Sequence, residues 1–352
     1  MPKMYRNLLK SVLFCLWCAT QAAAQELPPG DYLQRADVRE YVAELTRDHG
    51  FAAADLQTLF APLRKRTDII ERISNPAETV WTWARYRRLL VDDARIARGV
   101  TFWAEHAQTL AAVHERYGVA PEYVLAILAI ETRFGQHKGK FPVLESLMTL
   151  GFDYPPRAKF FRKELTQFLL LAREEGKDPS ALVGSYAGAM GYGQFISSSY
   201  RHYAVDFDGD GVRDIWDNPV DAIGSIANYF ARHRWQDGAP VAFQLAVADP
   251  DGTAWRSSLN QGLKLTRSLA SLAEEGAVPK ALDDLLESAP ETRCGVFLFD
   301  AEEGDEFWVV LPNFYAITRY NHSHMYAMAV HQLAGSIKQG FAARAQSVPE
   351  DV

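Results

Sequence analysis

Cysteine is nearly absent. Three occur in 352 residues, and two of them, Cys15 and Cys18, fall in a leading segment that carries the marks of an export signal. Lys3, Arg6 and Lys10 precede an apolar stretch from Ser11 to Ala19, and Ala22, Ala23 and Ala24 supply the small residues of a cleavage site. Cleavage near Ala24 leaves Cys294 alone, and one thiol closes no intramolecular disulfide. Stability in an oxidising compartment must then come from core burial, which the remaining 328 residues of a chain with 48% hydrophobic residues can supply.

A long apolar run is missing too. Spanning a bilayer as a helix takes roughly 20 apolar residues; the signal's run is shorter, and nothing later approaches that length. Phe14 and Trp17 stand where a lipobox would place a small residue before Cys15 or Cys18, which disfavours a lipid anchor. A soluble periplasmic protein is expected. Excess positive charge is absent as well: without Lys3, Arg6 and Lys10 the chain holds 34 Lys and Arg against 44 Asp and Glu, a formal net of −10, which argues against a nucleic-acid partner. No Gly-Lys-Ser/Thr ending turns a glycine-rich stretch into a phosphate loop, and His202, His322 and His324 lack the spacing of a zinc site.

What is present is mainly helical. From Leu33 to about Tyr117 apolar residues recur three or four apart, as at Val38, Tyr41, Val42 and Leu45. Within this region Trp81, Trp83, Arg85, Tyr86, Arg87 and Arg88 read either as a grip for an anionic sugar polymer or as a helix with an aromatic core face and a solvated arginine face. An apolar helix is expected from Val119 to Ile130, opened by Pro121 and Glu122 and closed near Gly135. Further helices are expected over Ala158 to Arg173, Ala222 to Arg232 and Ser323 to Lys338. Between the last two the pattern changes. Val241, Phe243, Leu245 and Val247 alternate with smaller or polar residues, and Gly295 to Phe299 and Phe307 to Leu311 flank a turn with Gly304 and Asp305, which reads as a hairpin. The expected organisation is a signal over 1–24, a helical region over 25–118, a core over 119–238, a small β-containing insertion over 239–312, and a segment over 313–345 that returns to the core. The fold class is mainly α, of the α+β kind.

Three features carry chemistry. Glu131 follows the apolar or small residues Val124 to Ile130, so its carboxylate is expected against a buried wall at the negative end of a helix; both influences favour the protonated form that a general acid needs. A surface Glu at a helix end is the alternative from position alone. Second, the stretch from Gly184 to Phe195 holds glycines at 184, 188, 191 and 193, which permit close backbone approach. Its aromatic residues Tyr186, Tyr192 and Phe195 offer flat faces to pyranose rings, although such a stretch also serves tight helix packing. Third, Asp206, Asp208, Asp210, Gly211, Asp214 and Asp217 fall at positions one, three, five, six, nine and twelve of an EF-hand-like calcium loop, with the Val212 carbonyl at seven. Asp217 replaces the usual Glu at twelve and Arg213 the usual apolar residue at eight, so Asp221 competes as the closing ligand; a solvated acidic turn is the alternative.

Taken in order, these blocks resemble the B-type membrane-bound lytic murein transglycosylases, glycoside hydrolase family 103, glycosidases of lysozyme-like fold. Glu131-Thr132-Arg133-Phe134-Gly135 resembles the family's catalytic motif, and Gly184 to Phe195 its glycine-rich motif. Asp206 to Tyr229 resembles its calcium loop and following helix, and Ile317 to Ser323 with Tyr326 its C-terminal sugar-site motif. The resemblance covers most of the chain. It implies peptidoglycan glycan strands as substrate, the β-1,4 bond between N-acetylmuramic acid and N-acetylglucosamine as the bond cut, a structural calcium ion, and no organic cofactor. By matching position it implies that Glu131 is the single acid and base, that Ser185 and Gln194 hold the reacting sugars, and that Tyr86, Phe195, Tyr229, Tyr320, Asn321 and Tyr326 line the groove. Arg157 would meet an anionic part of the glycan or stem peptide, although Pro156 stands where the family often has a second Arg and Phe160 where it can have Tyr.

The implied reaction needs one carboxyl group where most glycosidases need two. Glu131 would protonate the leaving oxygen and then accept the C6 hydroxyl proton as that oxygen closes a 1,6-anhydro ring. Glu145 and Asp153 are near enough in sequence to be imagined as a second carboxylate, but the resemblance gives them no such role. A hydrolytic muramidase and a non-catalytic peptidoglycan-binding scaffold are the alternatives. Partners in wall synthesis or remodelling are not legible.

Overall fold

In the computed structural model, described here over residues 30–75, 81–245 and 259–347, the chain divides into two compact units, one ending at Arg64 and one beginning at Lys65. The export signal and Val247 lie outside the described residues. Among the described residues no helix is long and apolar enough to cross a membrane.

The first unit holds α1 (Ala36–His49) and α2 (Ala53–Phe60). Val38, Tyr41, Val42 and Leu45 make the buried stripe of α1, as their spacing requires. Gly50 closes α1 at φ 66°, its amide bonded to the Thr46 carbonyl.

In the second unit, α3 (Thr67–Ser74), α4 (Trp83–Leu90), α5 (Asp93–Glu105) and α6 (Ala107–Tyr117) lead to α7 (Pro121–Thr132). Pro121 at the first helical position starts α7, and every side chain from Val124 to Ala129 is fully buried. A helix apolar on all sides must be enclosed. The neighbours that enclose α7 are α5, α6, α11 (Pro219–Arg232) and α15 (His324–Ser347). Between α7 and α11 come β1 (Phe141–Pro142), α8 (Val143–Asp153), α9 (Ala158–Glu174), β2 (Val183–Gly184) and α10 (Ser197–Tyr203). β1 and β2 pair antiparallel, Phe141 opposite Gly184, which lays the chain leaving α7 beside the start of the glycine-rich stretch.

The expected insertion is a four-stranded antiparallel sheet in the order β3 (Ala242–Leu245), β6 (Gly304–Val310), β5 (Arg293–Ala301), β4 (Arg267–Ser268). The hairpin at Gly304 is present, with Ala301 opposite Gly304. Two short helices, α12 (Leu269–Glu274) and α13 (Asp283–Ser288), belong to this part, and Leu269, Leu272, Cys294, Val296 and Val309 share its core. Burial pushes the Cys294 thiol up to about 12, so it behaves as a small core residue and not as a nucleophile. The chain returns through α14 (Pro312–Tyr320) to α15, which packs along α7 and α5.

Several boundaries differ from expectation. Helix α7 ends at Thr132, short of Gly135, because Arg133 and Phe134 already adopt left-handed backbone at φ 49° and 57°. Helix α15 runs to Ser347, nine residues beyond Lys338. In α4, Trp83 and Tyr86 are buried and Arg85, Arg87 and Arg88 are exposed, with Arg88 paired to Glu302. Helix α4 thus has an aromatic buried face and an arginine-bearing exposed face.

Candidate active site

Glu131 sits one residue before the end of α7, where the helix has left its apolar enclosure and the side chain is half-buried. The helix end is held from three sides. Arg95, itself buried, donates from Nε to the Ala129 carbonyl at 3.3 Å and from Nη1 to the Leu89 carbonyl at 2.7 Å, and it pairs with Asp92. A cation at a helix C-terminus offsets the partial negative charge there. The amides of Arg133 and Phe134 fold back to the Ala129 and Leu128 carbonyls at 3.1 and 2.9 Å, and Gly135 follows at φ 84°. Left-handed backbone costs a non-glycine residue roughly 1–2 kcal/mol. Two such residues in succession directly after Glu131 mark a strained exit that its surroundings enforce.

Thr132 supplies part of that enforcement. Its hydroxyl donates to the Tyr192 carbonyl at 2.8 Å and accepts from the Gly135 amide at 2.9 Å, which ties the end of α7 to the glycine-rich stretch. Gly135 must be glycine for a second reason: a Cβ there would stand 2.2 Å from the Tyr192 ring. Ser185 accepts from the Ala187 and Ala189 amides at 3.3 and 3.0 Å. Gln194, left-handed at φ 50°, donates from Nε2 to the Lys138 and Gly191 carbonyls at 3.2 and 2.9 Å.

Opposite Glu131 stands the start of α15. Ser323 accepts from the Tyr326 amide at 3.3 Å and so caps that helix, and the Tyr326 hydroxyl donates to Glu131 Oε1 at 2.6 Å. Burial first, then the Glu131 charge, holds the Tyr326 phenol well above its ordinary pKa; the same order of causes holds Tyr320. Both remain protonated donors. The Tyr320 hydroxyl bonds to the Gly193 carbonyl, and a Cβ on Gly193 would lie 2.7 Å from that oxygen, so glycine permits the contact. Tyr320 then continues into a ring cluster: centroids lie 5.9 Å from Phe195 to Tyr229, 5.9 Å from Phe195 to Tyr320, and 4.8 Å from Tyr229 to Tyr320. The Tyr229 hydroxyl is fixed on the Arg319 carbonyl. Tyr86 lies within electrostatic reach of Tyr326.

Of the expected site residues, a hydrogen bond joins Glu131 and Tyr326, ring contacts join Tyr320, Tyr229 and Phe195, the Glu131 charge reaches both Tyr320 and Tyr326, Tyr86 is buried on α4, and Ser185 and Gln194 shape the adjoining loop. Asn321, exposed, lies between the two tyrosine-bearing helices. Arg157 lies apart from these contacts, exposed and with its guanidinium 4.3 Å from the Phe160 ring centre. The two carboxylates weighed as a second acid are held by cations: Glu145 by Arg66 at 3.0 Å and Asp153 by Lys65 at 3.7 Å. Residues that sequence reasoning missed are Arg95, Thr132 as a clamp, and Lys138.

In the acidic loop, carboxylate oxygens of Asp206, Asp208 and Asp210 lie within 4.8 Å of one another. Asp206 also accepts from the Gly209 and Gly211 amides, and Asp210 from the Val212 amide, so the loop curls round the cluster. Asp217 is turned away, its side chain 82% exposed and paired with Lys138 at 3.0 Å. Asp221 is buried, accepts from the Phe207 and Asp214 amides at 2.7 and 2.8 Å, and has its pKa raised by burial first and by the charges of Asp208 and Asp206. A set of hard oxygens of this kind fits a calcium ion.

A carboxyl group at the end of a buried helix, bonded by a tyrosine, near a cluster of aromatic rings and beside a glycine-rich loop, fits a lysozyme-like, glycan-cleaving class of protein. The family described as "Transglycosylase SLT domain" matches residues 34–335, and the chain belongs to it. Its activity is that of a lytic murein transglycosylase. It is 39% identical over 317 residues to membrane-bound lytic murein transglycosylase B of Escherichia coli, covering 88% of this chain and 84% of that one. Among solved structures it is similar to soluble lytic transglycosylase SltB1 of Pseudomonas aeruginosa at 48% identity, covering 89% and 100% of the two chains with a TM-score of 0.81. The Escherichia coli lytic transglycosylase Slt35 in complex with calcium matches at 39%, 89% and 96%, and 0.79. SltB3 of Pseudomonas aeruginosa in complex with NAG-anhNAM-pentapeptide matches at 30%, 86% and 79%, and 0.73.

Proposed function

We propose that the chain cleaves the β-1,4 bond between N-acetylmuramic acid and N-acetylglucosamine in peptidoglycan and leaves 1,6-anhydro ends, with Glu131 as both acid and base. The observation that carries this reading is the Tyr326 hydroxyl on Glu131 Oε1, with Glu145 and Asp153 engaged by other cations. Glu131 first gives its proton to the leaving glycosidic oxygen. As carboxylate it then takes the proton of the C6 hydroxyl, whose oxygen attacks C1 of the same sugar; no water enters. Tyr326 holds one carboxyl oxygen so that the other faces the glycan. Phe195, Tyr229, Tyr320 and Tyr86 wall the groove, Asn321 borders it, Ser185 and Gln194 orient the sugars flanking the bond, and Arg157 on Phe160 receives an anionic part of the strand. Support for the anhydro product comes from the related SltB3, whose complex holds NAG-anhNAM-pentapeptide.

Calcium binds at Asp206, Asp208, Asp210 and the Val212 carbonyl, with Asp221 as the closing carboxylate in preference to Asp217, because Asp221 feels the charges of Asp206 and Asp208 whereas Asp217 pairs with Lys138. The ion's part is structural: it fixes the loop that precedes α11. The chain is exported, with cleavage near Ala24, and the regions 25–118, 119–238, 239–312 and 313–345 act as helical support, catalytic core, small β domain and returning segment. Digestion of purified sacculi tests the reaction. Products lighter by one water than reducing-end muropeptides are expected; reducing ends would show a hydrolase, and binding without release a scaffold.

A further inference from the structure

The chain leaving α7 meets two other segments at one side chain. The Lys138 ammonium donates to the Trp216 carbonyl and, at 3.0 Å, to Asp217 Oδ1, both at the exit of the acidic loop, and it lies 5.0 Å from the Tyr192 ring centre. Its own carbonyl accepts from Gln194 Nε2 at 3.2 Å. Next to it, the Tyr192 amide donates to the Ile215 carbonyl at 2.9 Å, and a Cβ on Gly191 would stand 2.4 Å from that same oxygen. A Cβ on Gly139 would stand 2.1 Å from the Gly184 carbonyl oxygen. One run of bonds therefore leads from Asp221 through the Asp214 amide, Ile215 and Trp216 to Lys138, Tyr192 and Gln194.

We propose that Lys138 is a positioning residue that couples the acidic loop to the glycan groove, so that a divalent cation in the loop and a glycan in the groove each strengthen the binding of the other. The proposal rests on the calcium and glycan readings above. Gln194 and the Gly135 turn hold left-handed backbone, which persists only while neighbours enforce it; loosening residues 214–217 removes part of that enforcement. The ion pair is the weaker half of the link, since Asp217 is 82% exposed and such pairs contribute little. The bond to the Trp216 carbonyl, with the ammonium over the Tyr192 ring, is the stronger half. Coupling carried by a contiguous network is reciprocal by thermodynamic necessity.

Calorimetric binding of the N-acetylglucosamine tetramer to the full mature Glu131→Gln protein, with calcium and with chelator, measures the link without turnover. Calcium is expected to tighten tetramer binding about fivefold or more, and the tetramer to tighten calcium binding by the same factor. Adding Lys138→Met, which removes the ammonium but keeps the backbone carbonyl that Gln194 meets and the Tyr192–Ile215 backbone bond, should bring that factor well below the parent's while both ligands still bind and calcium still raises the melting temperature. An unchanged factor in the Lys138→Met protein overturns the proposal, and so does binding of both ligands to the parent without coupling. Failure of calcium to bind the parent at all would bring down the calcium reading and the coupling together; failure of the tetramer alone would bring down the glycan reading of the groove and, with it, the coupling.

Discussion

The Tyr326 hydroxyl donates to Glu131 Oε1 at 2.6 Å across 195 residues of chain, joining the first turn of α15 to the last turn of α7. Hydrogen bonds to a charged group contribute roughly 1.5–3 kcal/mol. Tyr326→Phe keeps the ring and removes the donor, so kcat/KM for anhydromuropeptide release should fall about 10- to 100-fold, with sacculus binding retained. Wild-type kinetics in a folded Tyr326→Phe protein would remove this tyrosine from the machinery.

Glu131→Gln should abolish cleavage and leave folding and sacculus binding intact. The amide preserves shape, yet it can neither protonate the leaving oxygen nor accept the C6 hydroxyl proton. General acid and base assistance is worth about 10²- to 10⁴-fold each, so residual turnover should approach the detection limit. Glu145→Gln and Asp153→Asn should do far less, since Arg66 and Lys65 engage those carboxylates. Anhydro-product release beside a pull-down on the same sacculi separates the three variants.

How much of this was legible in the sequence depends on the reach of each interaction. Pro121, the apolar run and Glu131 announced α7 and its acid, because helix starts and burial are written locally. The hairpin at Gly304 was legible for the same reason. Helix α8 escaped notice: eight of its eleven residues are buried, so no polar face reveals a period. The exit of α7 was misplaced because Arg133 and Phe134 take backbone conformations that only tertiary contacts impose. Tyr320 and Tyr326 were reached through family resemblance; no local pattern points them at a carboxylate. Lys138 gave no signal, since its ammonium meets a partner 79 residues away.

Thr132→Val should destabilise the fold and slow the enzyme together. Valine matches threonine in shape, but it leaves the Tyr192 carbonyl and the Gly135 amide without the hydroxyl that joins them. An unsatisfied buried polar group costs about 1–3 kcal/mol. Urea unfolding gives the stability loss. A loss within experimental error would mean that the clamp carries no weight.

Calcium should raise the melting temperature, and the increment should identify the closing ligand. A ligand that binds only the native state at a hundredfold excess over Kd adds about 2.7 kcal/mol, a rise of several degrees for a protein of this size. Asp221→Asn should lose most of the increment, whereas Asp217→Asn should keep it, because Asp221 is buried and feels the charges of Asp208 and Asp206 whereas Asp217 is exposed and pairs with Lys138. The reverse pattern would assign Asp217 as the closing ligand.

Acid should weaken the fold partly through His331. This residue lies in α15 with Nδ1 2.9 Å from the Tyr123 hydroxyl of α7, and burial lowers its pKa to about 4. The unfolded chain holds an ordinary histidine near 6.5, so between those values the unfolded state binds more protons than the folded one. The contribution of the neutral ring is therefore fully present above about pH 6.5 and is lost as pH falls toward 4, amounting to about 3 kcal/mol over the whole window. His331→Gln keeps a polar group near Tyr123 but cannot titrate. It should be less stable than wild type at neutral pH, and the gap should close by about 2–3 kcal/mol by roughly pH 4.5. Urea unfolding of both proteins across that range supplies the measurement. A gap that stays constant with pH would mean that His331 titrates alike in both states, and the acid sensitivity would then belong to other groups.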